Sequence, residues 1–212
     1  MPALLLPSLH DFSLQAALPQ ATSPTATTRT ALVFGWDDVL CPSSWLAQTS
    51  AIHPNQLAHP ALGHQLSVLD DHIRHLVTQA MVMGPVVIVA NDVDAMHRTC
   101  GRFFPLTLQL LSSSCNVRVV GTEPNVLDRI CAEYLQVSTS LFAPQTTLVV
   151  VGGPVLRQSC LEMAYAPLVV AKVVTCGRRT PSVDEVRQQV HMLGSGLMQI
   201  VVSHTTGVDM LL

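Results

Sequence analysis

Five short runs rich in Val, Leu and Ile place the tightest limit on the fold of this chain. They lack the polar alternation of a strand with one face in water, and segments with helical periodicity separate them. The runs are Ala31–Phe34, Val86–Ala90, Val117–Val120, Thr147–Val151 and Leu168–Val174. Strands that are apolar on both sides are typical of a parallel sheet covered by helices on both faces. The sequence therefore predicts an α/β fold, a Rossmann-like doubly wound parallel sheet of about five strands.

The segments between the runs carry helix periodicity and helix end signals. The predicted helices are Gln65–Met83, 93 to about 104, Asn125–Gln136, Val155–Ala164 and 182 to about 194. Two histidines of the first helix, His72 and His75, fall opposite its apolar stripe and are predicted to be solvated. The apolar stretch 197–202 is predicted as an additional edge strand, and residues 47–64 as a loop too short for a separate cap domain.

The domain prediction divides the 212 residues into a leader, 1–30, and one α/β domain, 31–212. The leader ends in a stretch rich in Ser, Thr, Pro and Ala that is typical of a linker. Its apolar patch Leu4–Leu6 is compatible with docking on the domain or a partner, and equally with a mobile tail.

Composition excludes several classes of function. The net charge is −3, there is no long basic run and aromatic residues make up 4%, which argues against a nucleic-acid binder. No apolar run reaches the length of a membrane span. The six cysteines form no C-x-x-C pair and are expected to be reduced thiols. We therefore expect an intracellular protein, cytoplasmic by default, although the leader leaves a mitochondrial location open.

Four loops follow the carboxyl ends of predicted strands, where open α/β sheets bind ligands. They are Gly35–Pro42, Asn91–Asp94, Gly121–Pro124 and Gly152–Leu156. If the sheet is parallel, the first, second and fourth should converge on one edge, and any site is expected there.

Three of these strand–loop segments resemble motifs of the haloacid dehalogenase (HAD) superfamily, in particular its small-capped or uncapped phosphatase-like members. The first family motif is an apolar strand followed by Asp-x-Asp-x-Thr/Val-Leu, and residues 34–40 are Phe-Gly-Trp-Asp-Asp-Val-Leu. The second is an apolar strand ending in Thr or Ser and often Asn, and residues 87–91 are Val-Ile-Val-Ala-Asn. The fourth is an apolar strand followed by Gly-Asp, and residues 148–153 are Leu-Val-Val-Val-Gly-Gly. The resemblance covers roughly residues 31–193.

The resemblance also shows which catalytic groups are missing. The position of the family's Asp nucleophile, which forms an aspartyl-phosphate, is Gly35. The general acid/base position is retained as Asp37. Ala90 replaces the Thr or Ser that binds the phosphoryl group, and Gly153 replaces an acid that helps to hold Mg²⁺.

The phosphoryl-neutralising lysine of the family has no evident counterpart either. The only lysine, Lys172, follows the fourth motif, and Arg129 is the nearest cation in a plausible place.

The sequence favours a HAD-like domain that is not an enzyme and serves as a structural or protein-binding subunit. No catalytic residue, metal or cofactor is then expected, and the partner is a protein or a larger assembly. One alternative is a Mg²⁺-dependent phosphohydrolase that uses Asp37 to activate water. A second alternative is a regulatory module with a small anion in a vestigial pocket formed by Asp37, Asp38, Asn91 and Gly152. The simplest role for the two acids is to cap the turn after the first strand.

Overall fold

A computed structural model of the chain describes residues 29–52, 59–135, 145–165 and 168–212. It contains a six-stranded, all-parallel sheet with the strand order β3-β2-β1-β4-β5-β6. The strands are β1 Arg29–Gly35, β2 Val86–Ala90, β3 Val117–Gly121, β4 Thr146–Gly152, β5 Val170–Thr175 and β6 Val208–Leu211. The predicted α/β doubly wound parallel sheet is therefore confirmed, with one strand more than expected. The predicted leader lies outside the described residues except for its last two positions.

Helices cover both faces of the sheet. They are α1 Ser43–Ile52, α2 Pro60–Met83, α3 Val93–Phe103, α4 Pro105–Ser113, α5 Val126–Ile130, α6 Pro154–Leu161, α7 Val183–Met192 and α8 Met198–Ser203. A π-helical turn, Cys131–Leu135, extends α5, and another, Leu193–Leu197, joins α7 to α8. No helix of the described residues is both long and apolar enough to cross a membrane.

The continuous apolar runs of the strands are explained by two separate cores. In β1, Leu32 and Phe34 face a core formed with α2, α3, α7 and α8, whereas Ala31 and Val33 face a core formed with α5 and α6. All four side chains are fully buried. Because both faces of the central strand are dry, the sequence shows no polar alternation there.

Two loop and strand predictions are wrong. The predicted loop 47–64 contains the second half of α1 and the beginning of α2, while residues 53–58 lie outside the described part. The predicted edge strand 197–202 is mostly helix α8, because Met198 and Val201 bury their side chains in the core. The edge strand is β6, further along the chain.

The sequence does not predict helix α4, because a proline at position 105, directly after a helical segment, is typical of a helix end. Pro105 is the first residue of α4, where a missing N–H costs nothing. The fully buried carboxylate of Asp70 on α2 accepts hydrogen bonds from the Leu106 N–H, the Thr107 N–H and the Thr107 hydroxyl, at 2.8, 2.9 and 2.6 Å. Asp70 thus satisfies the free donors at the start of α4.

Candidate functional site

The loops at the carboxyl ends of the strands form one pocket of about 160 Å³. Its lining includes Gly35 at the end of β1, Asn91 after β2, Thr122 after β3 and Gly153 after β4. The expected convergence of the loops is therefore confirmed, and the third loop joins the other three. We call this cavity the strand-end pocket.

Asp37 is tied to the end of the neighbouring strand. Its Oδ2 accepts a hydrogen bond from the Asn91 N–H at 2.8 Å. The side-chain oxygen of Asn91 in turn accepts one from the Thr122 hydroxyl at 3.2 Å. These bonds link the ends of β1, β2 and β3, so one oxygen of the retained acid already has a structural partner.

Asp38 serves the beginning of α1. It has a positive φ of 57°, which places it in the left-handed region. Its carboxylate accepts a hydrogen bond from the Ser44 N–H at 2.9 Å and another from the Ser44 hydroxyl. Asp38 therefore caps α1, in agreement with the turn-capping role, and it does not line the strand-end pocket.

Leu156, which lines the strand-end pocket, packs beside Gly35 and Gly152. A Cβ added to Gly35 would lie 3.3 Å from Leu156 Cδ1 and 3.2 Å from Val39 Cγ2. A Cβ added to Gly152 would lie 2.7 Å from Leu156 Cδ1 and 2.8 Å from Leu156 Cβ. These short distances mean that Leu156 packs on the backbone of both glycines. Because the side chain is only 8% exposed and belongs to the core, it makes this part of the pocket apolar.

Ala90 and Gly153, the other two positions at which the sequence lacks a group of the HAD motifs it resembles, differ in the space around them. Ala90 is fully buried at the end of β2, and its methyl group supplies no hydrogen-bond donor. A Cβ added to Gly153 would meet nothing within 4 Å. A carboxylate would therefore fit at position 153, so crowding does not explain its absence.

No cationic side chain lines the strand-end pocket within the described residues. Lys172 is buried in β5, and its Nζ donates hydrogen bonds to the carbonyl oxygens of Val202 at 2.5 Å and His204 at 2.6 Å. Burial lowers the pKa of Lys172. It satisfies carbonyl groups at the end of α8 and is not a phosphoryl ligand.

Arg129 is also not placed to neutralise a phosphoryl group. It pairs with Glu123 at 2.5 Å, and both side chains are about half exposed. The two residues line a separate surface cleft beside β3. Arg129, the nearest cation in a plausible place by sequence, therefore does not line the strand-end pocket.

The residues of the strand-end pocket do not fit Mg²⁺. This ion needs several oxygen ligands in octahedral geometry. Asp37 is the only carboxylate among the described residues that line the pocket, and one of its oxygens accepts the Asn91 amide. Across the described residues, no group of three or more His, Cys, Asp or Glu side chains is arranged to hold a metal ion.

Two residues near the pocket have packing roles. The thiol of Cys41 is buried, and burial raises its pKa, so it has little thiolate character. Trp36 is buried with its ring edge-on to Phe104, with centroids 5.9 Å apart. Cys41 is therefore a poor nucleophile, and Trp36 anchors the core.

The prediction of a solvated His72 is wrong. The side chain is half-buried, and its ring lies 5.0 Å from that of His191 on α7. Burial and then the neighbouring imidazole lower the pKa of His72. His75 is exposed, as predicted.

Sequence reasoning missed a larger cleft between α1 and α3, which we call the α1–α3 cleft. Its volume is about 410 Å³, and its lining includes Arg98 and Arg102. Their spacing of four residues on one helix is an available signal, but the second half of the facing helix α1 lies in the predicted loop 47–64.

Comparisons with protein-family models, curated proteins and solved structures found no match to this chain.

Proposed function

We propose that this protein is a HAD-like domain without phosphatase activity that acts as a structural or protein-binding subunit. The observation that carries the proposal is the position of Leu156, whose side chain packs against Gly35 and Gly152. Phosphoryl transfer through an aspartyl-phosphate needs an oxygen nucleophile at this point. An apolar side chain and a glycine supply neither a nucleophile nor a side-chain hydrogen-bond donor.

The order of the strands supports the HAD-like part of the proposal. β1 lies between β2 and β4, so the loops that resemble the first, second and fourth motifs are neighbours. Phe34 of β1, for example, is in register with Ile88 of β2 and Val151 of β4. This is the arrangement that the resemblance requires.

The electrostatics of the pocket support the loss of activity. A phosphoryl group carries negative charge that must be opposed in the transition state. The described lining of the pocket contains Asp37 but no cation, and Lys172 is committed to backbone carbonyls elsewhere. The alternative in which Asp37 activates water for a Mg²⁺-dependent reaction lacks the ligands that would hold the metal.

The β6 edge of the sheet supports the protein-binding part. β6 is the last strand in the sheet, so its outer backbone groups pair with no further strand among the described residues. Large apolar side chains are exposed here: Leu211 of β6 is 74% exposed, and Val155 is 70% exposed on α6, which is tied to β6 by the Arg157–Asp209 ion pair. We propose that the partner is a protein that adds a strand along β6.

The catalytic half of the proposal is tested by release of phosphate from an aryl phosphate in the presence of Mg²⁺. Wild-type protein and the Asp37→Asn variant are expected to match the rate of the buffer. Asp92→Asn is the matched control, because Asp92 caps α3 and does not line the pocket. Mg²⁺-dependent turnover by the wild type that Asp37→Asn abolishes and Asp92→Asn retains would contradict the proposal.

The partner half is tested by quantitative cross-linking and pull-down from the cells that express the protein. Leu211→Asp on β6 is expected to lose the partner at least tenfold, because a charge on the paired edge must be desolvated. Val82→Asp on α2, where Val82 is 87% exposed, is the control and should retain it. Equal recovery with both variants, or recovery of no partner with wild-type protein, would remove this half of the proposal.

A further inference from the structure

The α1–α3 cleft combines an apolar floor with polar groups at its rim. Phe103, Ala47 and Ala95 contribute accessible apolar surface, above the buried side chains of Trp36, Leu46 and Met96. Hydroxyl groups come from Ser43, Ser50 and Thr99. A volume of about 410 Å³ lies in the range of small-molecule sites. The cleft adjoins the strand-end pocket, since Trp36 and Asp37 line both.

Two arginines give this cleft its charge. Arg98 and Arg102 are one helical turn apart on α3, and both side chains are exposed. Within the described residues, neither forms an ion pair with an acidic side chain. The Arg102 guanidinium lies 4.8 Å from the centroid of the Phe103 ring, a cation–π contact that holds it beside the cleft.

The charge balance of the lining favours an anion. Asp37 is the one acid among the described lining residues, and its Oδ2 accepts the Asn91 N–H. Two guanidinium groups against one partly engaged carboxylate leave the cleft with a net positive charge. This is the opposite of the strand-end pocket, whose described lining has no cation.

We propose that the α1–α3 cleft binds a small organic anion whose phosphate or carboxylate head group meets Arg98 and Arg102. The apolar body of the ligand, a ring or a short chain, then lies on Phe103, whose side chain is partly exposed in the cleft. Guanidinium groups form charge-assisted and often bidentate hydrogen bonds with both head groups. Binding involves no change of covalent bonds. The cleft is separate from the β6 edge, so this inference goes beyond the proposed partner-binding role and does not depend on it.

Isothermal titration calorimetry on the full chain tests this inference with four probes. Phenyl phosphate and benzoate carry a head group and a ring, inorganic phosphate lacks the ring, and phenol lacks the charge. We expect phenyl phosphate or benzoate, whichever head group fits better, to bind with a Kd below the millimolar range and both partial probes to bind at least tenfold more weakly.

Variants connect the binding to the cleft. Arg98→Gln and Arg102→Gln should each weaken the better probe about tenfold, since each removes a charge-assisted hydrogen bond. Arg74→Gln on α2 is the matched control and should leave the Kd unchanged, because Arg74 pairs with Asp71 outside the cleft. Asp37→Asn should tighten binding a few-fold because it removes the opposing charge. Circular dichroism checks that each variant is folded.

Three results would overturn the inference. The first is no binding of phenyl phosphate or benzoate at millimolar concentration. The second is an equal loss of affinity in Arg74→Gln and in the two cleft variants, which would indicate general surface charge. The third is a phosphoserine peptide, used as an additional probe, that binds more tightly than both phenyl phosphate and benzoate, which would indicate a peptide-docking surface. Hydrolysis of phenyl phosphate would contradict the proposed function and leave binding in the cleft standing.

Discussion

Substitution of Gly152 by alanine tests the packing of Leu156 beside the strand-end pocket. The new methyl group would lie 2.7 Å from Leu156 Cδ1, 2.8 Å from Leu156 Cβ and 3.3 Å from Leu156 Cγ. Gly152 is buried at the end of β4 and does not have a positive φ, so steric crowding and not backbone strain decides the outcome. Over-packing of a filled core costs about 1–3 kcal/mol, and we expect Gly152→Ala to lower the free energy of unfolding by about 2 kcal/mol.

A double-mutant cycle identifies Leu156 as the cause. Leu156→Ala removes the contacts to Cδ1 and Cγ but keeps the one to Cβ, so it should relieve roughly half of the cost of Gly152→Ala. The expected interaction free energy between the two substitutions is about 1 kcal/mol, larger than the roughly 0.5 kcal/mol by which independent sites deviate from additivity. Leu156→Ala alone should cost about 2 kcal/mol as a buried large-to-small substitution.

Urea unfolding followed by circular dichroism and tryptophan fluorescence measures these free energies. Gly153→Ala is the matched control, because a Cβ at this neighbouring position meets nothing within 4 Å; since Gly153 is the N-cap of α6, this substitution should cost no more than about 1 kcal/mol. Equal losses of unfolding free energy in Gly152→Ala and Gly153→Ala would refute the packing of Leu156 against Gly152. Strict additivity of Gly152→Ala and Leu156→Ala would refute it as well.

Three further predictions concern buried polar groups. Asp70→Ala should cost about 3 kcal/mol, because three donors at the start of α4 lose their acceptor; a loss below 1 kcal/mol in chemical denaturation would contradict this. Lys172→Met should cost about 2 kcal/mol, since two carbonyls at the end of α8 lose their donor; unchanged or increased stability in the same assay would count against that role. The lowered pKa of His72 means that the unfolded chain binds its proton more readily, so the free energy of unfolding should fall as the pH drops through the ordinary histidine range. His72→Gln should reduce this pH dependence. An equal dependence of the unfolding free energy on pH in the wild type and in His72→Gln would contradict the role of His72.

The central strands could be predicted from the sequence because their physical signal is local. A strand that is buried on both faces is apolar at every position, and the predicted bounds of β2 match the observed ones. The convergence of the strand-end loops then follows from topology, since parallel strands bring their carboxyl ends to one edge.

Helices α1, α4 and α8 could not be predicted because their signals lie outside the helices' own residues, near in sequence for α1 and in tertiary contacts for α4 and α8. The start of α1 depends on Asp38, six residues before its hydrogen-bond partner Ser44. The start of α4 depends on Asp70 from another helix. The Val- and Ile-rich α8 has strand-like composition, and it is helical because one face packs in the core and Lys172 binds its last carbonyls.

The position of the candidate site at the strand ends could be predicted from the sequence, but the side-chain packing inside it could not. The residue types at positions 35, 90 and 153 already indicated missing chemistry. Leu156 was counted as part of a loop, and no sequence pattern states that its side chain packs on two glycines from different strands. Arg98 and Arg102 were not singled out because the cleft exists only when α1 stands opposite α3.

Leu156 packs against Gly35 and Gly152 at the strand-end pocket, and we expect this pocket not to bind a metal ion with a phosphoryl group. A crystal structure of the wild-type protein grown with Mn²⁺ and phosphate tests it most directly, because manganese is located by its anomalous signal. We predict no anomalous peak beside Asp37 and a Leu156 side chain that still packs against Gly35 and Gly152. A manganese ion bound by Asp37, with phosphate beside it and Leu156 displaced, would contradict the account.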